Sequence, residues 1–135
     1  MIAVDTNVLI RFAIVDNQEQ SRRVRTFFAA RSAADPALVS VIVLAELWWT
    51  MTTTFKRSQA EVREFVRGLA TLDGIVLSHH DLVTAALNRT ESGAGFTDAL
   101  VSEMNREFGA RETVTFDKKA AKHAGMTLLE LSSTD

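Results

Sequence analysis

The chain of 135 residues contains no cysteine and a single proline, Pro36. Without cysteine, the chain has no disulfide, no zinc–thiolate site and no cysteine nucleophile. No apolar run approaches the roughly 18 residues that cross a membrane. The opening residues, MIAVDTNVLIRF, place an acid at Asp5 and lack the cationic leader and small-residue cleavage site of a signal peptide. We therefore expect a cytoplasmic protein that does not associate with membranes.

The charge is also nearly balanced, with 15 Lys and Arg against 17 Asp and Glu. A net charge of -2 excludes a strongly basic nucleic-acid coat protein but not a local basic patch. Hydrophobic residues make up 47% of the chain and charged residues 24%, which is typical of globular proteins. At roughly 150 residues per domain, this length predicts one domain over residues 1–135.

Short apolar runs alternate with longer stretches that have helical spacing of apolar residues. The predicted strands are Ile2–Val4, Ala37–Ser40, Ile75–Leu77, Thr113–Phe116 and Leu128–Leu131. The predicted helices are Asn7–Ile14, Gln18–Arg31, Val41–Phe55, a helix capped by Ser58, Leu82–Asn88, a helix capped by Thr97 and ending at Phe108, and Lys118–His123. Parallel strands need a crossover, and a helix supplies it. The pattern predicts a three-layer α/β/α domain with a central, mainly parallel sheet of about five short strands.

Four acidic residues occupy positions in this predicted fold that suggest a functional site. Asp5 and Asp117 each follow a predicted strand directly, and active clefts in these sheets lie outside the carboxyl ends of the strands. Glu46 lies inside the most apolar helix. Asp98 opens a helix after a glycine-rich stretch, where the helix dipole favours an anion.

Carboxylates gathered at one edge of a sheet repel each other, and a divalent cation removes that repulsion. Carboxylate oxygens and water select hard cations such as Mg²⁺ or Mn²⁺. A site of this kind suits phosphodiester hydrolysis, since the cation polarises the phosphoryl oxygen and lowers the pKa of water. Each acid also has a structural interpretation: Asp5 and Asp117 as helix N-caps, and Asp98 as a partner of the helix dipole. Only Glu46 has no evident structural role.

The same acids lie in stretches that resemble the four motifs of PIN-domain nucleases. These stretches are DTNVL at 5–9, SVIVLAEL at 40–47, FTDAL at 96–100 and TFDK at 115–118. They occur in the family's order, and 41, 52 and 19 residues separate the successive acids. The short chain is most similar to the VapC-type toxins of bacterial and archaeal toxin–antitoxin pairs.

The resemblance implies a Rossmann-like PIN domain that acts as a Mg²⁺-dependent endoribonuclease, with Mn²⁺ as an alternative ion. It makes Asp5, Glu46, Asp98 and Asp117 the catalytic acids. Asp5, Asp98 and Asp117 would bind the metal directly, whereas Glu46 would bind through water or act as the base. Asn7 and Thr115 match polar positions that steady these carboxylates. The resemblance also implies a homodimer held inactive by a small antitoxin whose tail covers the active site.

Several other residues have weaker functional interpretations. Arg11, Lys118 and Lys119 are candidates for phosphate contacts with RNA, and a solvated helix face is the alternative for each. Trp48 and Trp49 point about 100° apart on a helix, so we expect one in the core and the other available to a protein partner. The three histidines lack metal-ligand spacing and are interpreted as surface or capping residues: His79, His80 and His123.

Two other functions remain open from the residues alone. An aspartyl-phosphate phosphotransfer domain would have the same sheet and acidic edge. Such a domain normally carries a second acid two residues after the nucleophile or paired acids at the first strand, and Asn7 stands two residues after Asp5. The other alternative is a non-catalytic, PIN-like binding module whose acids hold a structural cation.

Overall fold

The computed structural model of the protein describes residues 1–129. It divides the chain into two compact units, Met1–His80 and a second that begins at Asp81. In both units strands alternate with helices, and the strand pairs formed by the described residues are parallel, as the sequence predicts. The prediction of one domain over residues 1–135 stays a prediction.

The first unit contains three short strands and four helices. In chain order they are β1 (Ile2–Ala3), α1 (Thr6–Ala13), α2 (Gln18–Ala29), β2 (Ala37–Val39), α3 (Val41–Thr53), α4 (Gln59–Thr71) and β3 (Ile75–Leu77). The strand order is β1-β2-β3. Ala3 pairs with Leu38, which in turn pairs with Val76, so these three residues form one row across the sheet.

The core of this unit lies where α1, α3 and α4 pack against one another and against the sheet. Leu9, Leu44 and Val66 are fully buried there, and each such side chain contributes about 1.5–3 kcal/mol relative to exposure. Trp48 is buried and its Nε1 donates a hydrogen bond of 2.9 Å to Gln59 Oε1. Trp49 is exposed, so the predicted division of the two tryptophans between core and surface is confirmed.

Two helices of the first unit, α3 and α4, begin after serine N-caps. Ser58 Oγ accepts a hydrogen bond of 3.1 Å from the backbone N–H of Glu61, which confirms the predicted capping box. Ser40 caps α3 in the same way by accepting from the N–H of Val43. Both caps satisfy backbone donors that a helix start otherwise leaves without a partner.

The second unit contains α5 (His80–Glu91), α6 (Phe96–Glu107), β4 (Val114–Thr115), α7 (Lys118–His123) and β5 (Thr127–Leu128). The short helix α7 connects two parallel strands, with Val114 opposite Thr127. Arg89 Nε donates a hydrogen bond of 2.8 Å to Glu103 Oε1, which ties α5 to α6. None of the helices formed by residues 1–129 is long and apolar enough to cross a bilayer.

Several boundaries differ from the sequence prediction; α1 begins at Thr6 rather than Asn7, and α5 spans His80–Glu91 rather than Leu82–Asn88. The N-cap of α6 is Gly95 rather than Thr97, because the helix already begins at Phe96, whose apolar side chain is buried. The last strand begins one residue earlier than predicted, at Thr127. Its predicted end at Leu131 lies outside the described residues.

Candidate carboxylate site

The first unit places three polar residues at one edge of its sheet. Asp5, Ser40 and Ser78 continue the paired rows of the three strands by one position beyond Val39, and we call this row the carboxyl edge. The N–H of Val4 donates to Leu38 O at 3.0 Å, and the N–H of Ser78 donates to Val39 O at 3.0 Å, so pairing extends to the edge. Polar side chains therefore gather where parallel strands end, as the sequence predicts.

Asp5 is the N-cap of α1. Its Oδ1 accepts a hydrogen bond of 2.8 Å from the N–H of Thr6, and its side chain is exposed. The structural interpretation of Asp5 as a cap is therefore correct. The cap occupies one carboxylate oxygen, and Oδ2 is left for another partner.

Glu46 lies on the outer face of α3 and is exposed. Its position inside the most apolar helix does not bury it, because the buried stripe of α3 is formed by Leu44, Leu47, Trp48 and Met51. Glu46 shares the opposite face with Ile42 and Trp49, which are 71% and 68% exposed. Its desolvation is therefore small, and the driving force for binding a cation is the charge of its carboxylate.

Thr6 connects the two acids of this unit. Its N–H donates to Asp5 Oδ1, and its hydroxyl donates to Glu46 Oε1 at 3.3 Å. The Thr6 side chain is buried, which fixes the direction of both bonds. Thr6 could not be identified from the sequence, because its contact with Glu46 spans 40 residues and depends on how α1 packs against α3. Its only signal in the sequence is a hydroxyl residue directly after the acid of the first strand.

In the second unit, Asp98 stands in the first turn of α6 and is half-buried. Its Oδ2 lies 3.3 Å from the point where a Cβ on Gly95 would stand. The carboxylate therefore folds back over the start of its own helix, where the partial positive charge of the backbone N–H groups stabilises an anion. Glycine at the N-cap makes room for this position.

Asp117 is the N-cap of α7. Its Oδ1 accepts hydrogen bonds from the N–H groups of Lys119 at 2.8 Å and Ala120 at 3.1 Å. Thr115 Oγ1 accepts a hydrogen bond of 3.0 Å from the N–H of Asp117, so Thr115 holds the backbone that carries this acid. The side chain of Asp117 is exposed, and its Oδ2 is left for another partner.

The remaining predicted residues contribute in different ways. Asn7 is exposed on α1 and lines a cavity of about 400 Å³ with Arg11, and the described residues form no hydrogen bond between Asn7 and one of the four candidate acids. Arg11 is held by Asp16 and by Gln20 Oε1, which accepts from its Nε at 2.7 Å. This pairing offsets its charge, which weakens its case as an RNA contact.

Lys118 and Lys119 are exposed directly after Asp117. They therefore place two positive charges beside one of the candidate acids, where a polyanion would have to approach. Their predicted contact with RNA stays a prediction.

The donor chemistry of these acids suits a hard divalent cation. Asp5, Glu46 and Asp117 are exposed, and within the described part of the chain each has a hydrogen bond to one carboxylate oxygen only. Between residues 1 and 129, no three His, Cys, Asp or Glu side chains form a group that could hold a metal ion. The structure joins Asp5 and Glu46 through Thr6, and the site formed by all four acids stays a prediction.

Comparison with known protein families agrees with the order of the motifs. The family model described as the PIN domain matches residues 2–126, which includes all four acids. No curated protein matches the chain. PIN domains are typically nuclease modules and generally use divalent metal ions. The predicted α/β fold class is that of this family. The chain belongs to the PIN-domain family.

Proposed function

We propose that the protein is a metal-dependent endoribonuclease that acts as the toxin of a toxin–antitoxin pair. The observation that carries the catalytic part is the joining of Asp5 and Glu46 by Thr6 at the carboxyl edge. Two acids that lie 41 positions apart in the chain bond to one buried residue, and both are exposed. N-capping of α1 accounts for the position of Asp5, but it does not account for the hydrogen bond between Thr6 and Glu46.

The acids have separate tasks in the proposed reaction. Asp5, Asp98 and Asp117 would hold the cation, Mg²⁺ or Mn²⁺, through the oxygens that their helix starts leave unused. When bound, it would polarise the phosphoryl oxygen as a Lewis acid and lower the pKa of water. Glu46 accepts the proton of the attacking water. The new bond forms between water oxygen and phosphorus, the bond from phosphorus to the 3′-oxygen breaks, and that oxygen takes a proton from solvent water.

Thr6 and Thr115 position the acids in this proposal. The Thr6 hydroxyl restricts the rotamers of Glu46, so the base meets the water at one place instead of sampling the solvent. Thr115 holds the backbone of Asp117. Positioning of this type contributes to rate because the bound groups start close to the reactive geometry.

The toxin assignment rests on the similarity to VapC-type proteins and on an exposed surface. Ile42 and Trp49 flank Glu46 on the outer face of α3. Large aromatic side chains are enriched at the centre of protein interfaces. A small antitoxin and a second copy of the chain are the proposed protein partners, and the cytoplasm is the proposed location.

Incubation of the purified protein with single-stranded RNA tests the catalytic proposal. We expect fragments with Mg²⁺ and none with a chelator. D5N and E46Q remove one charge each without a large change in volume and should abolish cleavage while the thermal unfolding curve stays cooperative. The control is E64Q, which removes an exposed charge from α4 and should cleave like the wild type.

Two results would contradict the proposal. Wild-type protein that binds Mg²⁺ but leaves RNA intact would favour the binding-module alternative. A stable phosphoprotein after incubation with a phosphodonor would favour phosphotransfer.

A further inference from the structure

Ser78 and His79 lie at the carboxyl edge but play no part in the proposed chemistry. They follow β3 directly, and Ser78 stands in the same row as Ser40 and Asp5. Because β2 lies between β1 and β3, two strand spacings of about 4.8 Å separate the ends of the outer strands. The end of β3, which His79 follows, is therefore about 10 Å along the edge from Asp5.

Hydrogen bonds hold this histidine at one ring nitrogen. Ser78 Oγ accepts a hydrogen bond of 3.2 Å from the N–H of Val41, the first residue of α3. The same hydroxyl lies 3.0 Å from His79 Nδ1. Because Ser78 Oγ already accepts from Val41, we assign its own hydrogen to the contact with His79 Nδ1. Nδ1 then accepts, and the neutral ring carries its proton on Nε2, which is left to donate to a ligand. The side chain is exposed, so Nε2 can reach a ligand in solvent.

The chemistry of an oriented imidazole nitrogen suits a phosphate oxygen. Contacts of side chains to phosphate fix the register of a nucleic acid on a protein without reading its sequence. A distance of about two strand spacings from Asp5 places His79 beside a neighbouring phosphate of the chain and not beside the bond that is cut. Such a contact contributes to binding the RNA and leaves the chemical step unchanged.

We propose that His79, oriented through Nδ1 by Ser78, donates from Nε2 to an RNA phosphate flanking the scissile one. This inference rests on the proposed ribonuclease function and adds a binding contact to the same edge. It makes His79 a residue that sets the position of the substrate relative to Asp5 and Glu46. The other histidine of the pair, His80, begins α5 and has no such role.

Steady-state cleavage of a short single-stranded RNA by H79A, H79Q and H80A tests this role. One lost hydrogen bond of about 1 kcal/mol corresponds to about a fivefold rise in KM for H79A, with kcat within twofold of the wild type. H79Q keeps an amide donor near the position of Nε2 and should recover part of the loss. H80A removes an adjacent histidine and should behave like the wild type. An unchanged KM in H79A, or an equal rise in H80A, would overturn the inference.

A binding measurement separates this inference from the catalytic proposal. The Kd of the same RNA is measured by fluorescence anisotropy for D5N and for D5N/H79A, neither of which is expected to cut it. We expect the Kd of D5N/H79A to be about fivefold higher, as for the loss of one hydrogen bond. If wild-type protein cuts no RNA, the ribonuclease proposal fails while this comparison still decides whether His79 binds the strand. Equal Kd values for D5N and D5N/H79A would refute the contact.

Discussion

Replacing Thr6 by valine isolates the connection between the two acids of the first unit. Valine has nearly the same shape, keeps the N–H that Asp5 accepts from, and removes only the hydroxyl that donates to Glu46. Because Glu46 is exposed, water replaces the lost donor, and we expect the free energy of unfolding to change by less than about 1 kcal/mol. The effect of T6V should therefore be seen in activity rather than in stability.

The size of the loss follows from the geometry of the bond. Hydrogen bonds to charged groups contribute about 1.5–3 kcal/mol, but this one is long at 3.3 Å and its acceptor is exposed. We therefore take about 1 kcal/mol, which is about a fivefold decrease in the cleavage rate. T6S keeps the hydroxyl and is the matched control.

The assay is the initial rate of RNA cleavage at saturating Mg²⁺, measured beside thermal unfolding for T6V and T6S. We expect T6V to lose rate and T6S to retain most of it, with similar melting temperatures. If T6V cleaves as fast as the wild type, the hydroxyl does not position Glu46 and the reasoning is refuted.

Three further predictions concern stability. S58A removes the N-cap of α4 and should lower the free energy of unfolding by about 1 kcal/mol in urea titrations; an unchanged midpoint would contradict the cap. G125A puts a side chain at φ 73°, where its Cβ would stand 2.9 Å from Arg89 Nη1, and should cost about 1–2 kcal/mol in the same assay; a neutral result would show that the loop relaxes. The hydrogen bond from the Met1 ammonium lowers the pKa of Asp35 below its ordinary value of 3.8, so its stabilisation is present above that pH and is lost as the pH falls below it. D35N should therefore lower Tm at pH 6 but have a shrinking effect below pH 4, and a constant difference would contradict the pairing.

Elements with strong local signals could be predicted from the sequence. β3 matches its prediction at Ile75–Leu77 because three apolar residues stand between turn-forming stretches. α4 has a capping box at Ser58 and a clear apolar stripe, so its start is also as predicted. Such features depend on neighbours within a few positions of the chain, and the physical rules for them are local.

The details of the site depend on tertiary packing and were harder to predict. α3 carries large apolar residues on both faces, so its sequence does not reveal which face is buried or that Glu46 is exposed. The link from Thr6 to Glu46 arises only when α1 packs against α3. The positions of the acids at strand ends and helix starts were predicted because the fold class dictates them.

The central proposal is that the acids of the four motifs serve one reaction. The most direct test is the rate of Mg²⁺-dependent cleavage of one defined RNA by D5N and D98N, which carry one substitution in each unit. Loss of a residue that merely supports a metal ligand typically costs 10–100-fold, so loss of a ligand itself should reduce both rates about 100-fold or more. Cleavage by D98N at the wild-type rate, with D5N inactive, would contradict a catalytic site that includes both acids.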